Sequence, residues 1–499
     1  MCTRMVYNSE RLWASPFKVA SNSSLCILEV FSSESREETT MLGEMFARFV
    51  EKSPISVMVR STLERVLGAD QLDGWYEQTA QKQYTRELLF STVYDLMSQV
   101  VFCIKPSLRA AYRGQEAEVG TSITSVYNKI NGLETHTSAE LVRYSARELA
   151  PLIAQMGGER QPWLTGYRVK IVDGNCIEAT EHRLKELREI EAGALPGKSL
   201  VVYEPAAGLV TDVFPCEDGH AQERSLFGEV LQTVQADDLW IEDRNFCTRE
   251  FLGEIDRRGA GFIVRQHASL PYEIVSALRP CGRIETGHVA EQRVRVYDTK
   301  GNAHVFRRLR IKLKEATRDG ARLLYLLTNL PGRKVSAKRV ARLYRKRWTL
   351  ETAFQHLEAY FHSEINTLGY PKAALFGFCL ALVAYNFLAV VLAALRGVHG
   401  EARVEEAVSL YAVANDISTT YHGMMIAIPA PEWGVFYSMS SAELATILLE
   451  LAQKVRLQAI RKSPRRPKKP YPQGKKPARR GHVATVKLLM NRQVKSATP

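Results

Sequence analysis

Hydrophobic and polar positions change their spacing along this chain, and the change predicts two kinds of structure. From Met41 to about Gly157 apolar residues recur at helical spacing, as in SPISVMVRSTLERVL, which opens on a Ser-Pro helix start. From Tyr167 onward short apolar runs alternate with turns, as in YRVKIVDGN, SLVVYEP, GLVTDVFP and DLWIED. The pattern therefore predicts an all-α segment followed by an α/β segment.

Two of the short apolar runs end in an acidic residue, KIVD at Asp173 and LWIED at Asp243. In an open α/β sheet, ligand groups collect at the carboxyl ends of the strands, and a helix across that edge would bring Glu351 toward both aspartates. Three carboxylates are the hard oxygen ligands that Mg²⁺ or Mn²⁺ prefers. Taken singly, each aspartate could equally be a helix cap or turn residue.

The segment YRKRWTLE places an acidic residue among cations and aromatic residues. On one continuous helix, Tyr344, Arg347, Glu351 and Glu358 would project within an arc of roughly 60°. That pattern suits an enzyme that acts on a phosphate backbone.

In this order, the motifs resemble those of bacterial insertion-sequence DDE transposases, in the group (insertion-sequence-four type) with a tyrosine, arginine, glutamate and lysine signature. The likeness extends over roughly residues 41 to 485 in order and general character. It is carried by VDGN with Asp173, EDRNF with Asp243 and Arg244, and LYRKRWTLETAFQHLE with Tyr344, Arg347 and Glu351.

The resemblance implies metal-dependent cleavage at the ends of a mobile element and joining of the freed 3′-hydroxyl to target DNA. Asp173, Asp243 and Glu351 would be catalytic and would hold two Mg²⁺ ions, with Mn²⁺ able to substitute. Tyr344 and Arg347 would bind a phosphate near the cleaved end. Alternatively, they would lie on the helix surface or form an ion pair with Glu351 or Glu358. Arg244 would orient a carboxylate or phosphate. A hairpin route for the second strand and a homodimer on DNA are also expected.

The expected fold is a ribonuclease H-like α/β core interrupted by a β-rich insertion, with an N-terminal all-α domain and a basic C-terminal arm. Three strands, a helix and a fourth strand would place the strands of Asp173 and Asp243 side by side. The predicted segments are 1–40, upstream of a natural start at Met41 or unstructured; 41–157, a helical DNA-binding domain; 158–268 and 335–400, the catalytic core; 269–334, the insertion; 401–455, helical; and 456–499, a flexible basic arm.

Two family features are replaced in this chain. Seven residues after Glu351 stands Glu358 instead of the signature lysine, so either His356 or Lys346 compensates or this copy is impaired. Related enzymes also use a tryptophan of the insertion to hold a flipped base, and this insertion has none. Of the nearby tryptophans, Trp240 is expected in the core, and Trp348 is expected to pack internally or, as the alternative, to contact DNA. The aromatic candidates inside the insertion are Tyr272, Tyr297, Phe306 and Tyr325.

The formal charge of +13 is unevenly distributed. From Leu451 onward there are 15 Lys or Arg and no acidic residue, whereas residues 1–450 hold 52 cations against 54 acids. The proline-rich run of paired cations predicts an arm that binds DNA phosphates without reading bases, or else a solubilising tail. The candidate DNA-binding residues of the arm are Arg465, Arg466, Lys468 and Lys469.

The remaining composition predicts a cytoplasmic, nucleoid-associated protein. Eight cysteines show no CxxC pair, which is typical of reduced thiols, and no secretion signal is recognisable. Residues 373–395 carry no charge and could span a bilayer by length, but they fit better as a helix buried on both sides. No membrane partner is therefore expected.

Two other functions remain compatible with the sequence. One is a degenerate transposase copy that binds DNA as an inhibitor, which Glu358 favours and the intact acidic triad opposes. The other is a ribonuclease H-like nuclease without strand transfer, which would keep the triad but have little use for an insertion. Detection of joined DNA products separates the second from a transposase.

Overall fold

The computed structural model describes residues 42–81, 88–177, 193–317, 320–365, 367–463 and 482–490. The predicted segment 1–40 lies outside these residues, as do Arg465, Arg466, Lys468 and Lys469 of the predicted basic arm.

Eight helices form the first part of the described chain. They begin where the sequence offers a start signal: Pro54 occupies the first turn of the second helix, and the Ser122 hydroxyl accepts a hydrogen bond from the Ser125 amide at the start of the seventh. Their bounds are α1 Glu44–Lys52, α2 Pro54–Leu67, α3 Ala69–Thr79, α4 Phe90–Val101, α5 Leu108–Gly114, α6 Glu116–Val119, α7 Ile123–Gly132 and α8 Thr135–Gln155.

A mixed sheet of ten strands follows. In sheet order the strands are β4 Leu209–Cys216, β3 Gly197–Glu204, β1 Arg168–Ile177, β5 Asp238–Glu242, β6 Gly261–Arg265, β11 Leu323–Thr328, β10 Ala303–Leu313, β9 Gly287–Tyr297 and β7 Glu273–Ile274, with β8 Arg279–Ile284 also paired to β9. Between β4 and β6 lie the helices α9 Phe227–Gln232 and α10 Arg249–Arg257. The chain is therefore an α/β protein, as predicted.

The pairing of β1 with β5 sets the position of the two predicted aspartates. The two strands are parallel, and Ile171 lies opposite Ile241. Asp173 and Asp243 each come two residues later, so they reach the same edge of the sheet. One detail of the prediction was wrong: β1 does not end at Asp173 but continues to Ile177 against β3.

The strands after β6 extend this sheet instead of forming a separate one. Strand β11 pairs antiparallel with β6, and β10 and β9 continue outward. The turn between β9 and β10 is the DTKGN segment, where the Asp298 carboxylate accepts hydrogen bonds from the amides of Lys300 at 2.9 Å and Asn302 at 2.8 Å. Gly301 occupies the left-handed region there, with φ of 85°.

Alternate residues of the strands face two hydrophobic cores. On one face Ile171 and Ile241 pack with the helices of the first part of the chain. On the opposite face Val172 and Trp240 pack with α9 and α10. The period of two along each strand thus assigns successive residues to opposite sides of the sheet.

The helices after the sheet complete the larger core. Their bounds are α11 Ala337–Arg345, α12 Trp348–Tyr360, α13 Pro371–His399, α14 Glu401–Ala407, α15 Leu410–Ala427, α16 Ala430–Trp433 and α17 Ser441–Lys454. Helix α13 contacts α8, α17 and β4, so it joins the N-terminal helices to the sheet.

Helix α13 contains the uncharged run predicted to be buried. It is long and apolar enough to cross a membrane, but 89% of its most apolar window is buried inside the protein, which supports the prediction of a core helix. The segments Ala430–Phe436 and Ser441–Lys454, taken together, are also long and apolar enough to cross a membrane, but the chain bends by 114° between them.

The described parts of the predicted C-terminal arm are docked on the protein. Arg461 forms an isolated β-bridge with Val408. Further on, strand β12 (His482–Ala484) pairs parallel with β2 (Gly193–Leu195), and the Lys487 ammonium lies 3.2 Å from the Asp218 carboxylate.

Candidate active site

Asp173 and Asp243 reach the same edge of the sheet from neighbouring strands. Asp173 lies within β1, and its carboxylate accepts a hydrogen bond from the Gly174 amide at 3.0 Å. Asp243 follows the last residue of β5 and caps a short 3-10 turn, Arg244–Phe246, by accepting a hydrogen bond from the Asn245 amide at 2.6 Å. The local backbone therefore fixes both carboxylates.

The segment YRKRWTLE does not form one helix, in contrast to the prediction. Helix α11 ends at Arg345, and α12 begins at Trp348. The Ser336 hydroxyl caps α11 by accepting a hydrogen bond from the Arg339 amide. Tyr344 thus belongs to the first helix and Glu351 to the second, with Arg347 at their junction.

Arg347 links the acidic residues of the site. Its guanidinium forms an ion pair with Asp173, and it donates a second hydrogen bond to Glu351 at 2.6 Å. The Arg347 side chain is 13% exposed, Asp173 is 19% exposed and Glu351 is 45% exposed. The predicted alternative role of Arg347, an ion pair with Glu351, is thus present in this structure.

The electrostatics of the site follow from burial and crowding of like charges. Burial raises the pKa of Asp173 to about 6, with the negative charges of Asp243 and Glu351 adding to the rise and Arg347 opposing it. Burial likewise raises the pKa of Tyr344 to about 12, so its phenol is neutral at pH 7. The pKa of Arg347 is raised by its acidic neighbours despite its burial.

Two of the predicted metal-binding carboxylates, Asp173 and Glu351, lie close together, but both contact the Arg347 guanidinium. Within the described residues, no group of three or more His, Cys, Asp or Glu side chains is arranged to hold one metal ion. Glu351 and Asp173 instead share Arg347. The oxygen donors suit a hard divalent cation, and the position between them is taken by an internal cation.

The two other predicted residues of this region, Tyr344 and Arg244, differ in their surroundings. Tyr344 packs against the large core. Arg244 is exposed at the start of its 3-10 turn, and among the described residues its guanidinium has no hydrogen bond to a carboxylate, so an orienting contact is absent there.

The candidates for replacing the signature lysine lie away from the carboxylates. The Lys346 ammonium lies over the Trp163 ring, 4.4 Å from its centroid. His356 stacks on Tyr360 at 5.3 Å between ring centroids. Glu358 is exposed on α12. Neither candidate cation contacts Asp173 or Glu351 in this structure.

The tryptophans and insertion aromatics are placed partly as predicted. Trp240 is fully buried, which confirms its core role, but Trp348 is 60% exposed, so the prediction that it packs internally was wrong. Phe306 is also buried and is no longer a candidate for base contact. Tyr272 and Tyr325 lie on the Arg308 guanidinium, with centroid distances of 4.9 and 3.9 Å, and Tyr297 is exposed.

A second basic region was not predicted from the sequence. Residues 279–345 contain 18 Lys or Arg and only 5 Asp or Glu, a signal that a shorter counting window would have detected. In β10, Arg310 and Lys312 are exposed. Because β10 runs in the same direction as β5, these cations lie toward the edge of the sheet that carries Asp243.

Glu223 is a further residue of this region that was not predicted from the sequence. Its carboxylate accepts a hydrogen bond from the Asn245 side chain at 3.0 Å and lies against Gly174. Glu223 stands 50 residues after Asp173 at the start of a short 3-10 helix, Glu223–Leu226, and no sequence pattern distinguishes it.

Comparison with known proteins gives one family match. Residues 164–387 match the family model of the transposase DDE domain. This segment contains Asp173, Asp243 and Glu351, and it covers less than half of the chain. No curated protein matches the chain.

Among solved structures, the chain is similar to a piggyBac transposase, determined by cryo-EM as a synaptic complex with hairpin DNA. The sequence identity is 12%, the TM-score is 0.34, and the similarity covers 78% of this chain and 74% of the other. Similarity at this level supports no conclusion about this chain.

Proposed function

We propose that this protein is a DDE transposase of the group with the tyrosine, arginine, glutamate and lysine signature. It would cut DNA at the ends of its own insertion sequence and join the freed 3′-hydroxyl to target DNA. The observation that carries the proposal is the gathering of Asp173, Glu351 and, through their charges, Asp243 around Arg347. The transposase DDE domain match over the same segment supports it.

Asp173, Asp243 and Glu351 are the residues that would hold divalent cations in a ribonuclease H-like core. Two Mg²⁺ or Mn²⁺ ions bound there would activate the attacking water or hydroxyl and stabilise the leaving oxygen. The donor set fits, since it consists of carboxylate oxygens that already attract one cation, Arg347.

Arg347 has two competing partners in this proposal. In this structure it pairs with Asp173 and Glu351. A guanidinium binds phosphate in the same bidentate manner as carboxylate. A DNA phosphate near the scissile bond would therefore draw Arg347 away and leave both carboxylates free. Neutral Tyr344, next to Arg347, would donate its hydroxyl to the same phosphate.

Two basic regions away from the carboxylates would bind DNA because of their positive charge. The basic strand β10, with Arg310 and Lys312, would follow the duplex near the catalytic edge, and Arg465, Arg466, Lys468 and Lys469 would add phosphate contacts. A homodimer would hold the two element ends, and the second strand would be processed through a hairpin. The protein would act in the cytoplasm of a bacterium, on the nucleoid.

The test uses a supercoiled plasmid that carries the terminal inverted repeats flanking the coding sequence. Purified protein is incubated with Mg²⁺ or with chelator, alongside Asp173→Ala, Glu351→Ala and the exposed control Glu250→Gln. Metal-dependent release of the flanked segment, lost in the first two variants and kept in the control, would support the proposal. Joined products in a target plasmid would separate it from a nuclease that lacks strand transfer.

One observation favours a second candidate, a degenerate copy that binds DNA as an inhibitor. Glu358 presents an acidic group where the family signature has a lysine, and it is exposed on the same helix as Glu351. Binding of the terminal repeats without cleavage would favour this candidate. Recovery of cleavage in Glu358→Lys would then show that this one position had inactivated the enzyme.

A further inference from the structure

The loop that carries Asp243 is held by a residue outside the predicted site. Asn245, two positions after Asp243, donates its backbone amide to the Asp243 carboxylate at 2.6 Å. Its side-chain amide donates to Glu223 at 3.0 Å, and its carbonyl accepts from the Arg224 guanidinium at 3.3 Å. Asn245 is exposed, so these contacts rather than packing determine its position.

Glu223 is in turn seated on the strand of Asp173. A Cβ atom built on Gly174 would lie 2.4 Å from a carboxylate oxygen of Glu223, which is closer than real contacts allow. Gly174 thus leaves the space that the carboxylate fills. Through this contact and the Asn245 hydrogen bond, Glu223 spans the gap between the two strands that present Asp173 and Asp243.

The Glu223 carboxylate lies on the face of β1 opposite to the Asp173 side chain. Successive residues of a strand point to opposite faces of the sheet. Ile171 faces the larger core and Val172 the smaller one, so Asp173 and the Gly174 position have opposite orientations. Glu223 therefore contacts the side of β1 away from Asp173 and Arg347, and it is not a fourth member of the carboxylate group.

We propose that Glu223 is a positioning residue, which fixes the spacing and direction of Asp243 relative to Asp173 by holding Asn245 and resting on Gly174. This inference rests on the proposed function for its catalytic consequence. Its structural content, the restraint of residues 243–247, stands independently. Residues that orient the ligands of a metal site affect metal affinity about 10- to 100-fold when removed.

Three variants and one control separate positioning from other roles. Glu223→Ala removes the acceptor for Asn245, whereas Glu223→Gln keeps an acceptor oxygen and removes the charge. Gly174→Ala displaces the carboxylate from the strand side. Glu229→Ala, an exposed glutamate on α9, is the matched control.

Three measurements are made on the full-length protein. Amide hydrogen exchange of the peptide covering residues 243–247 requires no DNA. The Mg²⁺ concentration for half-maximal cleavage of the terminal-repeat plasmid reports the catalytic effect, and thermal unfolding checks that each variant is folded. If the wild-type protein does not cleave, the proposed function fails while the exchange measurement still decides the role of Glu223.

The expected result for Glu223→Ala is faster exchange in this peptide by about tenfold and an increase of about 10- to 100-fold in the half-maximal Mg²⁺ concentration. Gly174→Ala should change both in the same direction, while Glu223→Gln and Glu229→Ala should stay within about twofold of wild type. Unchanged exchange in Glu223→Ala would overturn the proposal. So would a Glu223→Gln variant as impaired as Glu223→Ala, because that would show that the charge acts directly.

Discussion

Arg347 and Asp173 are joined by an ion pair, although 174 positions separate them in the chain. The same guanidinium reaches Glu351 one turn along α12. An internal cation thus pairs with two of the three carboxylates proposed to bind divalent ions and offsets part of their negative charge.

Removal of this internal cation should make the DNA-free protein bind divalent ions more tightly. In Arg347→Ala, Asp173 and Glu351 lose their partner, and we expect the affinity for Mn²⁺ to rise about tenfold, or about 1.4 kcal/mol. Isothermal titration calorimetry with Mn²⁺ measures it. Plasmid cleavage by this variant should fall at the same time, because a phosphate contact is lost.

The control for this prediction is Arg345→Ala, which removes an exposed arginine paired with Glu285 at 3.2 Å. Its Mn²⁺ affinity should equal that of wild type. Equal affinities for Arg347→Ala and wild type would show that Arg347 does not compete with the metal.

His356 should be a source of acid sensitivity. Burial, followed by the positive charge of Lys462, lowers its pKa below the usual 6.5. Because the folded state binds this proton less well than the unfolded state, His356 lowers the free energy of unfolding as the pH falls below about 6.5 and has no effect above it. Thermal unfolding between pH 8 and pH 5 should show a smaller acid loss in His356→Phe, which keeps the ring contact with Tyr360.

DNA cleavage by the same variant tests whether His356 substitutes for the signature lysine. A residue that acts as a cation on DNA must be protonated near pH 7, and a lowered pKa opposes that. Cleavage at pH 7.5 by His356→Phe at the wild-type rate is therefore expected, and a strong loss of cleavage with unchanged stability would contradict it.

Asn386 should stabilise the protein more than any apolar replacement could. In the middle of α13 its side chain accepts a hydrogen bond from the Val210 amide at 2.8 Å, and it donates to the Val210 carbonyl at 2.9 Å and to Ser145 at 3.1 Å. Asn386→Leu would leave buried backbone groups of β4 unpaired, at a cost of about 2 to 4 kcal/mol. Urea unfolding measures the loss.

The matched control is Asn415→Leu, at an exposed position on α15, which should change the free energy of unfolding by less than about 0.5 kcal/mol. A stable Asn386→Leu protein would contradict the assignment of these hydrogen bonds.

The basic face of β10 should determine part of the salt dependence of DNA binding. Arg310→Ala combined with Lys312→Ala removes two exposed cations near the catalytic edge. If each contacts one phosphate, the slope of log affinity against log salt should fall by about 1.8. Fluorescence anisotropy with a labelled terminal repeat, at several salt concentrations, gives the slope. Lys468→Ala with Lys469→Ala is the comparison, and an unchanged slope in the β10 variant would exclude this face.

The sequence predicted the α/β class and the burial of α13 because both depend on local periodicity. The strands around Asp173 and Asp243 are short apolar runs, and the run in α13 lacks charge over a length that only a buried or membrane helix tolerates. Trp240 was placed correctly for the same reason, since it lies inside an apolar strand.

Local patterns also gave the wrong result where a backbone break or a side-chain environment decided the outcome. Nothing in YRKRWTLE marks the junction of two helices at Lys346 and Arg347, since both residues are good helix formers. Trp348 is the first residue of α12 and is exposed next to that junction, a position that periodicity along one helix cannot show.

By itself, the sequence determined the candidate catalytic residues Asp173, Asp243 and Glu351. Their residue types and the short segments around them are local properties of the chain. Only the tertiary structure decided that Arg347 lies between the carboxylates and that Glu223 and Asn245 hold the loop of Asp243. The contact of Arg347 with Asp173 joins residues 174 positions apart, and that of Asn245 with Glu223 joins residues 22 positions apart. Such pairings depend on strand order and register across the whole sheet, so no local pattern of residues encodes them.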